Sequence, residues 1–198
     1  MRTDTAQPIR LKDYLPPAWL VDTVKLDVSL HPTKTKVRAT LALKPNPESG
    51  AAPLALDGDG LTLVSLKLDG KALPAGSYGA TPDSLIITQP PNGPFTLEIE
   101  TLVDPTANTQ LSGLYRSSGT YCTQCEAEGF RRITYFPDRP DMMAVYTTRI
   151  EADKAEAPVL LANGNLTESG ELPEGRHFAV WHDPHPKPSY LFALVGGN

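Results

Sequence analysis

Cysteine and long apolar runs are both scarce in this sequence, and each scarcity excludes a class of protein. The 198 residues contain two cysteines, Cys122 and Cys125, which is too few for the disulfide framework of a secreted domain. No apolar stretch approaches the ~20 residues that a membrane-spanning helix needs, and the opening MRTDTAQPIRLKDY stays polar where a signal peptide would be apolar. The sequence therefore predicts a cytoplasmic protein with no membrane partner.

An excess of positive charge is also lacking. Lys and Arg number 18 against 23 Asp and Glu, which gives a formal net charge of −5. Proteins that bind nucleic acids or anionic membranes need a basic surface, so we expect neither partner. With 40% hydrophobic residues, the composition is that of an ordinary globular protein that can bury a core.

Motifs of familiar catalytic sites are absent as well. No histidine belongs to a His-Glu-x-x-His motif, and neither a Gly-x-Ser-x-Gly elbow nor a phosphate-binding Gly-Lys loop occurs. The pair Cys122-x-x-Cys125 could be a redox couple or half of a zinc site, but no thioredoxin-like helix accompanies it. We therefore predict no catalytic residue and no metal ligand in this chain. The cysteines are interpreted first as buried thiols, with a small zinc or redox protein as the weaker alternative.

Turn residues and period-two alternation, in contrast, are abundant. Gly and Pro number 15 and 20, and no window supports an amphipathic helix longer than a turn or two. Apolar residues alternate with polar ones, as at Val24, Leu26 and Val28, which is the pattern of a half-buried strand. The sequence predicts an all-β, mostly antiparallel, sandwich-like single domain over residues 1–198, with 1–13 as a flexible lead.

The alternation also locates individual strands. Residues 24–30 and 37–43 predict a hairpin around the HPTKT turn, and Asp69-Gly70 predicts a two-residue hairpin turn. The phase of the alternation slips by one residue after Leu63, which indicates a bulge or a strand with both faces covered. Further strands are predicted at 54–56, 84–88, 95–103, 143–152, 159–162, 166–172, 177–182 and 190–195.

The stretch TYCTQCEAEGFRRITYFPDRPD, residues 120–141, departs from this alternation and concentrates charged residues, prolines and both cysteines. Such density on a rigid scaffold is typical of a site or an interface. Gln124, Glu126 and Glu128 are spaced by two, so an extended segment would project an amide and two carboxylates from one face, where they could bind an ammonium group. The alternative is that the glutamates pair with the arginines that follow, in a solvated network.

This stretch also carries a resemblance to a known family. TQCEAEGFRRITYFPDRPD resembles the signature of the N-terminal domain of the bacterial aminopeptidase N family, which are zinc metallopeptidases of the gluzincin type. The resemblance extends to DPTANTQLSGLYRSSG at 104–119, to residues 161–195 and to the opening YLPPAWLVDTVKLDVSLHPTKTKVRATLAL. It is weakest between residues 45 and 94.

The resemblance implies a saddle-like β domain that packs against a thermolysin-like catalytic domain absent from this chain. It implies that Glu126 binds the free α-amino group of a peptide and that Gln124 lines the pocket for the first residue. Zinc would be a cofactor of the intact enzyme with its ligands outside this chain, and the chain alone would be inactive. The partners would be the peptide N-terminus and the missing catalytic domain. The alternative is a free-standing, non-enzymatic β-sandwich interaction module.

Other residues of the stretch receive structural roles from the resemblance. Four charged residues are interpreted as loop-fixing ion pairs rather than catalytic groups: Arg131, Asp138, Arg139 and Asp141. Cys125 becomes a packing residue. Glu128 is expected to form hydrogen bonds at the domain boundary.

Overall fold

A computed structural model of the chain describes residues 10–50 and 52–198. Within these ranges the chain forms fifteen strands and four short 3-10 helices. The strands are β1 Trp19–Ser29, β2 Thr35–Pro45, β3 Leu54–Asp57, β4 Thr62–Leu68, β5 Lys71–Ala72, β6 Tyr78–Thr81, β7 Ser84–Ile87, β8 Phe95–Val103, β9 Gly113–Ser117, β10 Thr120–Gln124, β11 Ala144–Asp153, β12 Val159–Ala162, β13 Asn165–Glu171, β14 Arg176–Lys187 and β15 Leu194–Gly197. The 3-10 helices are Leu11–Asp13, Phe130–Arg132, Pro173–Gly175 and Ser189–Leu191. Among the described helices, none is long and apolar enough to cross a membrane.

The largest sheet has eight strands in the order β13-β14-β11-β1-β2-β8-β4-β5. Its neighbouring strands are antiparallel except for β1 and β11, which run parallel with Val24 opposite Tyr146. β1 and β2 form the predicted hairpin, in which Val28 pairs with Val37 and both side chains are buried. The predicted all-β, mostly antiparallel class is therefore confirmed.

Two local features of β4 are confirmed as well. The register of β4 against β8 shifts between Leu63 and Ser65, which is the bulge that the slipped alternation indicates. Asp69 and Gly70 join β4 to β5, and their φ angles of 49° and 77° are both positive, as a type I′ turn requires. The turn is set by the backbone of two adjacent residues, and the bulge leaves a slip in the alternation of β4 itself, so the local sequence predicts both.

Two smaller sheets complete the fold. One has four strands in the order β12-β15-β10-β9, and the other has three in the order β3-β7-β6. Side chains from all three sheets belong to one buried hydrophobic cluster, to which Leu41, Leu85 and Tyr121 contribute from one sheet each. The four-stranded sheet places β10, the strand that begins the stretch singled out in the sequence, between β9 and β15.

The segment before β1 is exposed at its start and buried where it enters the strand. Residues 1–9 of the predicted lead lie outside the described residues, and residues 10–15 are exposed. Trp19 is buried and packs edge-to-face on Phe95, with the ring centroids 5.6 Å apart. Its Nε1 donates to the Ala52 carbonyl oxygen at 3.1 Å, so the ring is packed in the core and its polar N–H is hydrogen-bonded.

β14 is longer than the strand predicted at 177–182, because it continues through the PHPKP stretch to Lys187. Beyond His182 it no longer pairs with β13, and its register against β11 is irregular at this end. Pro184 and Pro186 are exposed there, so their missing N–H groups are not needed for a ladder. A bulged strand with one free edge can accept prolines that a central strand cannot.

The strand predicted at 190–195 is wrong in its first half. Ser189–Leu191 forms a 3-10 helix, and β15 begins only at Leu194. Phe192 and Leu194 are buried, whereas Val195 is 39% exposed. The apolar run therefore has one buried face and one exposed face, instead of the two buried faces that its composition indicates.

Candidate functional site

β10 leads into a tight turn at one end of the four-stranded sheet. Within the strand, Cys122 lies opposite Tyr115 of β9 on one side and Val195 of β15 on the other. The strand ends at Gln124, and the N–H of Gly129 donates to the carbonyl oxygen of Cys125 at 2.8 Å. This hydrogen bond closes a turn that contains the two glutamates of the stretch.

The extended geometry predicted for Gln124, Glu126 and Glu128 is therefore wrong. Gln124 is the last residue of β10, whereas both glutamates lie in the turn. The Nε2 of Gln124 donates to the backbone oxygen of Glu126 at 3.3 Å, so the amide braces the turn from within. All three residues are exposed, but they do not share one face of a strand.

Two glycines allow this turn to fold tightly against β9. A Cβ atom at Gly129 would lie 2.3 Å from the carbonyl oxygen of Gln124 and 3.0 Å from the backbone nitrogen of Gly113. Gly113 has φ +73°, and a Cβ atom there would lie 2.5 Å from the Cβ of Arg132. Since backbone atoms cannot move aside for such contacts, glycine at these two positions is what bends the chain out of the extended form.

Glu126 and Glu128 line an open cleft of about 820 Å³ beside the turn. Three loops contribute Asp59, Asp83, Gln110 and Ser112 to its lining, and the 3-10 helix after the turn contributes Arg131. Its four carboxylates outnumber Arg131 in the lining and Arg132, which pairs with Asp59 from beside it, so the cleft has an excess of negative charge that attracts cations. Gln124 is not among the described residues that line the cleft. Its side-chain amide is hydrogen-bonded to the backbone oxygen of Glu126, which does line it.

Arg131 makes the two glutamates chemically different. Its Nη2 lies 3.4 Å from Oε1 of Glu128, which forms an ion pair across the turn. In the part of the chain that the structure describes, the Glu126 carboxylate has neither an ion pair nor a hydrogen-bond donor, and only its backbone oxygen is engaged. The predicted pairing with arginines thus holds for Glu128 and not for Glu126, whose carboxylate is free to bind a ligand.

Asp138 holds the backbone and the side chain of Arg131 in place. Its Oδ2 accepts hydrogen bonds from the backbone N–H of Arg131 at 3.2 Å and from its Nε at 3.0 Å. Its Oδ1 accepts from the Ser189 hydroxyl at 2.5 Å, and its own N–H donates to Asp57. A carboxylate only 4% exposed is stable when it is paired and hydrogen-bonded in this way.

The interpretation of the four charged residues as loop-fixing ion pairs is confirmed. Arg131 pairs with Asp138, and the Nη2 of Arg139 lies 2.7 Å from Oδ2 of Asp141. Of these four residues, only Arg131 is among those that line the acidic cleft. The pairs therefore hold the backbone around the turn and leave the cleft to the glutamates.

An aromatic cluster anchors the turn to the core. Phe130, which follows Gly129, is fully buried and makes edge-to-face contacts with Phe136, Tyr146 and Phe192, at centroid distances of 5.1, 5.9 and 5.3 Å. Such contacts add to the free energy of burying the rings. The turn is thus exposed at Glu126 and rigidly attached four residues later.

The cysteines do not form a reactive pair. Both are free thiols, Cys122 half-buried and Cys125 buried. Burial, together with the nearby Asp138 carboxylate, raises the pKa of the Cys125 thiol to about 12, so that thiol stays protonated at neutral pH. Across residues 10–50 and 52–198, no three His, Cys, Asp or Glu side chains come together as a metal site. Cys125 is a packing residue, as expected from the resemblance.

Several residues of the site escape a reading of the sequence. Asp59 reaches the cleft from the turn between β3 and β4, and Asp83 from the turn between β6 and β7. Arg132 bridges Asp59 and Gln110 with two hydrogen bonds of 2.9 Å. The DGDG turn around Asp59 is visible in the sequence only as a turn. Its position next to Glu126 depends on long-range packing, which local patterns do not record.

These features define a class of molecule: an all-β domain that presents a free carboxylate from a braced turn at the edge of an acidic cleft. Comparison with protein families identifies the family to which this domain belongs. Residues 21–191 match the Peptidase M1 N-terminal domain, and the chain belongs to this family.

Known relatives agree with the assignment. Aminopeptidase N from Caulobacter vibrioides is 52% identical over the whole chain, which spans 23% of that relative. The crystal structure of Legionella pneumophila aminopeptidase A in complex with aspartic acid is 45% identical and covers 96% of the chain, with a TM-score of 0.90, while the chain spans 22% of it. The M1 zinc metallopeptidase of Deinococcus radiodurans, at 19% identity and a TM-score of 0.78, shares the fold over 92% of the chain and 43% of its own. The chain thus spans about a fifth of the length of the Caulobacter and Legionella relatives.

Proposed function

We propose that this chain is the N-terminal domain of a zinc aminopeptidase and that Glu126 binds the free α-amino group of the peptide substrate. One observation carries the proposal. Among the described residues, Glu126 is a carboxylate without a partner in an acidic cleft, on a turn that is otherwise fixed by hydrogen bonds and packing. A rigid, unpaired carboxylate is what an ammonium group requires.

The physical chemistry of the reaction explains the need for such a group. An aminopeptidase must distinguish a chain terminus, which carries an ammonium group, from an internal peptide N–H, which is neutral. A carboxylate forms an ion pair, with hydrogen bonds between two opposite full charges, only with the former. When the terminus is held, the first peptide bond lies at a fixed distance from it, so binding also orients the bond for attack. Gln124, which braces the backbone of Glu126, would line the pocket of the first residue.

Zinc enters this proposal as a cofactor of the longer polypeptide. No group of residues in the described ranges fits a zinc site, so we place its ligands outside this chain. When bound, zinc polarises the scissile carbonyl and activates water. The residues of this chain contribute the grip on the substrate ammonium. We further propose that residues 1–198 form one domain and that the enzyme works in peptide catabolism in the cytoplasm, in keeping with its two free thiols.

Substitution of Glu126 in the longer polypeptide tests the proposal. Glu126→Gln removes the negative charge and keeps the shape, so a charge-assisted hydrogen bond to substrate is lost. We expect kcat/KM for an aminoacyl-anilide to fall roughly ten- to hundredfold, mainly through KM. Glu128→Gln is the matched control, because that carboxylate already pairs with Arg131 and is expected to change kcat/KM less than threefold.

Two results would contradict the proposal. If Glu126→Gln keeps the specificity constant of the unmodified enzyme, Glu126 does not bind the substrate. If Glu128→Gln loses as much activity as Glu126→Gln, the effect comes from the general negative charge of the cleft rather than from one carboxylate.

A further inference from the structure

The dipeptide Asn-Gly occurs twice in the sequence, at Asn92-Gly93 and at Asn163-Gly164. An asparagine that precedes glycine can close on itself to a succinimide ring, because glycine has no Cβ atom to hinder attack of its backbone nitrogen on the side-chain amide. The reacting groups are the same in both copies. A difference in their reactivity therefore has to come from the surroundings that the fold gives them.

Asn163 is held at both ends of its amide. Its Nδ2 donates to the carbonyl oxygen of Leu191 at 3.1 Å, and its Oδ1 accepts from the N–H of Ala193 at 2.7 Å. Gly164, with φ +90°, lies so close to β14 that a Cβ atom there would be 2.2 Å from the carbonyl oxygen of His182. The amide and the backbone cannot rotate to bring the reacting atoms together unless these contacts break.

Asn92 and Gly93 lie on a bend between β7 and β8, where Asn92 is exposed. The two hydrogen bonds that hold Asn163 have no counterpart at Asn92 in the described part of the chain, and no backbone hydrogen bond there uses the N–H of Gly93. A Cβ atom at Gly93 would have no atom within 4 Å. The amide and the backbone nitrogen are therefore free to reach the geometry that ring closure requires.

We propose that Asn92 is a site of spontaneous deamidation and that the fold protects Asn163 from the same reaction. The backbone nitrogen of Gly93 loses its proton and attacks Cγ of Asn92, so that a new C–N bond forms and the C–N bond of the side-chain amide breaks. The amide nitrogen takes up that proton and leaves as ammonia. Water, the one co-reactant, then opens either carbonyl of the succinimide and gives an aspartyl or an isoaspartyl residue.

The modification changes both charge and backbone at a junction between two sheets. β7 belongs to the three-stranded sheet and β8 to the large sheet. Either product adds a carboxylate to an open cleft that Asn92 lines together with Trp19 and Gln89. The isoaspartyl product also inserts the Cβ atom into the main chain, three residues before Phe95, whose ring packs on Trp19. Aged molecules thus differ from new ones at this edge of the core.

Peptide mapping of the longer polypeptide, incubated in its native state at mildly alkaline pH, tests the difference between the two sites. Mass spectrometry measures the exchange of amide for carboxyl at each Asn-Gly, and chromatography separates isoaspartyl from aspartyl peptides. We expect Asn92 to deamidate at least about tenfold faster than Asn163, with isoaspartyl peptides at position 92. An intact Asn92, or equal rates at the two sites, would overturn the proposal.

Unfolding is the matched control. In guanidinium above the unfolding midpoint the contacts of Asn163 and Gly164 are lost, so we expect the two deamidation rates to come within about threefold of each other. If Asn163 stays tenfold slower in the unfolded chain, its neighbours in the sequence protect it and the fold does not. Both sites lie outside the lining of the acidic cleft, so these rates do not depend on whether Glu126 binds substrate.

Gly93→Ala tests the attacking group. Alanine fits at this position, because the added methyl group meets no atom within 4 Å and φ lies outside the left-handed region. The methyl group hinders approach of the backbone nitrogen, so we expect deamidation of Asn92 to fall at least about fivefold in the folded protein. The rate in the unmodified protein should rise between pH 6 and pH 8, since the nitrogen must first lose its proton. An unchanged rate in Gly93→Ala, or a rate independent of pH, would exclude the succinimide route.

Discussion

Glu126 and Glu128 carry the same side chain two residues apart, and the difference between them is made by Arg131. The guanidinium of Arg131 is held by Asp138, which is itself fixed by Ser189 and Asp57. Its Nη2, which also donates to the Asp138 carbonyl oxygen at 3.0 Å, lies 3.4 Å from Oε1 of Glu128. The Glu126 carboxylate is thus left without a partner because Asp138 directs the Arg131 side chain toward Glu128. Gly129 allows the tight packing of the turn that carries both glutamates.

Gly129→Ala tests the tight packing of the turn. A methyl group would lie 2.3 Å from the Gln124 carbonyl oxygen, so the turn must shift or strain the backbone. We expect the free energy of unfolding of this chain to fall by about 1–3 kcal/mol in a urea titration. Gly79→Ala is the control, because Gly79 has no atom within 4 Å of the added group and is expected to change stability by less than about 0.5 kcal/mol. Equal stabilities of the two variants would contradict the packing argument.

At the scale of single residues, the sequence predicts which residues belong to the site better than it predicts how they are arranged. The resemblance singles out Glu126, and its role stays a prediction, while the spacing of Gln124, Glu126 and Glu128 leads to a wrong extended segment. That geometry depends on Gly129 meeting Gly113, a contact between residues sixteen positions apart in the sequence. Asp59 and Asp83 are missed for the same reason, since their approach to the cleft is a matter of long-range packing.

Among the elements, the arm before β1 is tied to the segment that follows the site. Tyr14 donates its hydroxyl to Oδ2 of Asp141 at 3.0 Å, and Arg139 donates to the carbonyl oxygen of Leu15 at 2.8 Å. Arg139 also holds Asp141 through two hydrogen bonds of 2.8 and 2.7 Å. The hydrogen bond from Arg139, more than that from Tyr14, lowers the pKa of Asp141. The arm therefore docks on an ionised Asp141.

This docking predicts a dependence of stability on pH. A carboxyl group whose pKa is lowered by folding stabilises the folded chain above its unfolded pKa of about 3.9, and the contribution disappears as the pH falls through the lowered value. We expect Asp141→Asn to reduce the free energy of unfolding by about 0.5–1.5 kcal/mol at pH 7. The difference from the unmodified chain should shrink as the pH falls below about 3.9 and Asp141 is protonated, as measured by urea titration from pH 7 to pH 2.

The control for this prediction is Asp22→Asn. Asp22 forms an exposed ion pair with Lys44 at 2.8 Å, with its side chain 54% exposed, and such pairs contribute little. A difference between Asp141→Asn and the unmodified chain that persists unchanged at pH 2 would exclude the charge of Asp141 as its source.

The elements themselves divide into those that local patterns predict and those that they do not. β1 and β2 follow from alternation, because each buries one face and the two strands pair across a short turn. The bulge in β4 is visible as a slip in the alternation of β4 itself, although its partner β8 is distant in sequence. β14 and β15 deviate from prediction because their limits depend on partners far away. The prolines of β14 are tolerated where β13 no longer pairs with it, and the start of β15 is set by burial of Phe192.

For the whole molecule, the proposed division of labour places substrate capture in this chain and bond cleavage elsewhere. We therefore expect the 198-residue chain, supplemented with zinc, to hydrolyse an aminoacyl-anilide no faster than a blank. The physical reason is that its described residues bring together no three metal-ligating side chains. Turnover above blank that is abolished by a chelator and retained through purification would show that the chain holds a catalytic metal after all.

The sequence predicts the class of the whole fold but not its strand order. Composition and alternation indicate a mostly antiparallel β domain, and the family match agrees with that class. The parallel pairing of β1 with β11 joins strands more than a hundred residues apart, with Val24 opposite Tyr146. No local pattern specifies such a pairing, because it is selected by the packing of both strands in the common core.

The place of β15 in the four-stranded sheet has a consequence for synthesis of the protein. β15 is the last of the described strands, yet it lies between β12 and β10. While the ribosome is still adding residues 160–190, β10 can pair with β9 but has an open second edge, and β12 has no partner in this sheet. β10, the strand that leads into the turn with Glu126, is thus fully paired only when residues 194–197 have emerged, so this part of the domain is expected to acquire its final form last.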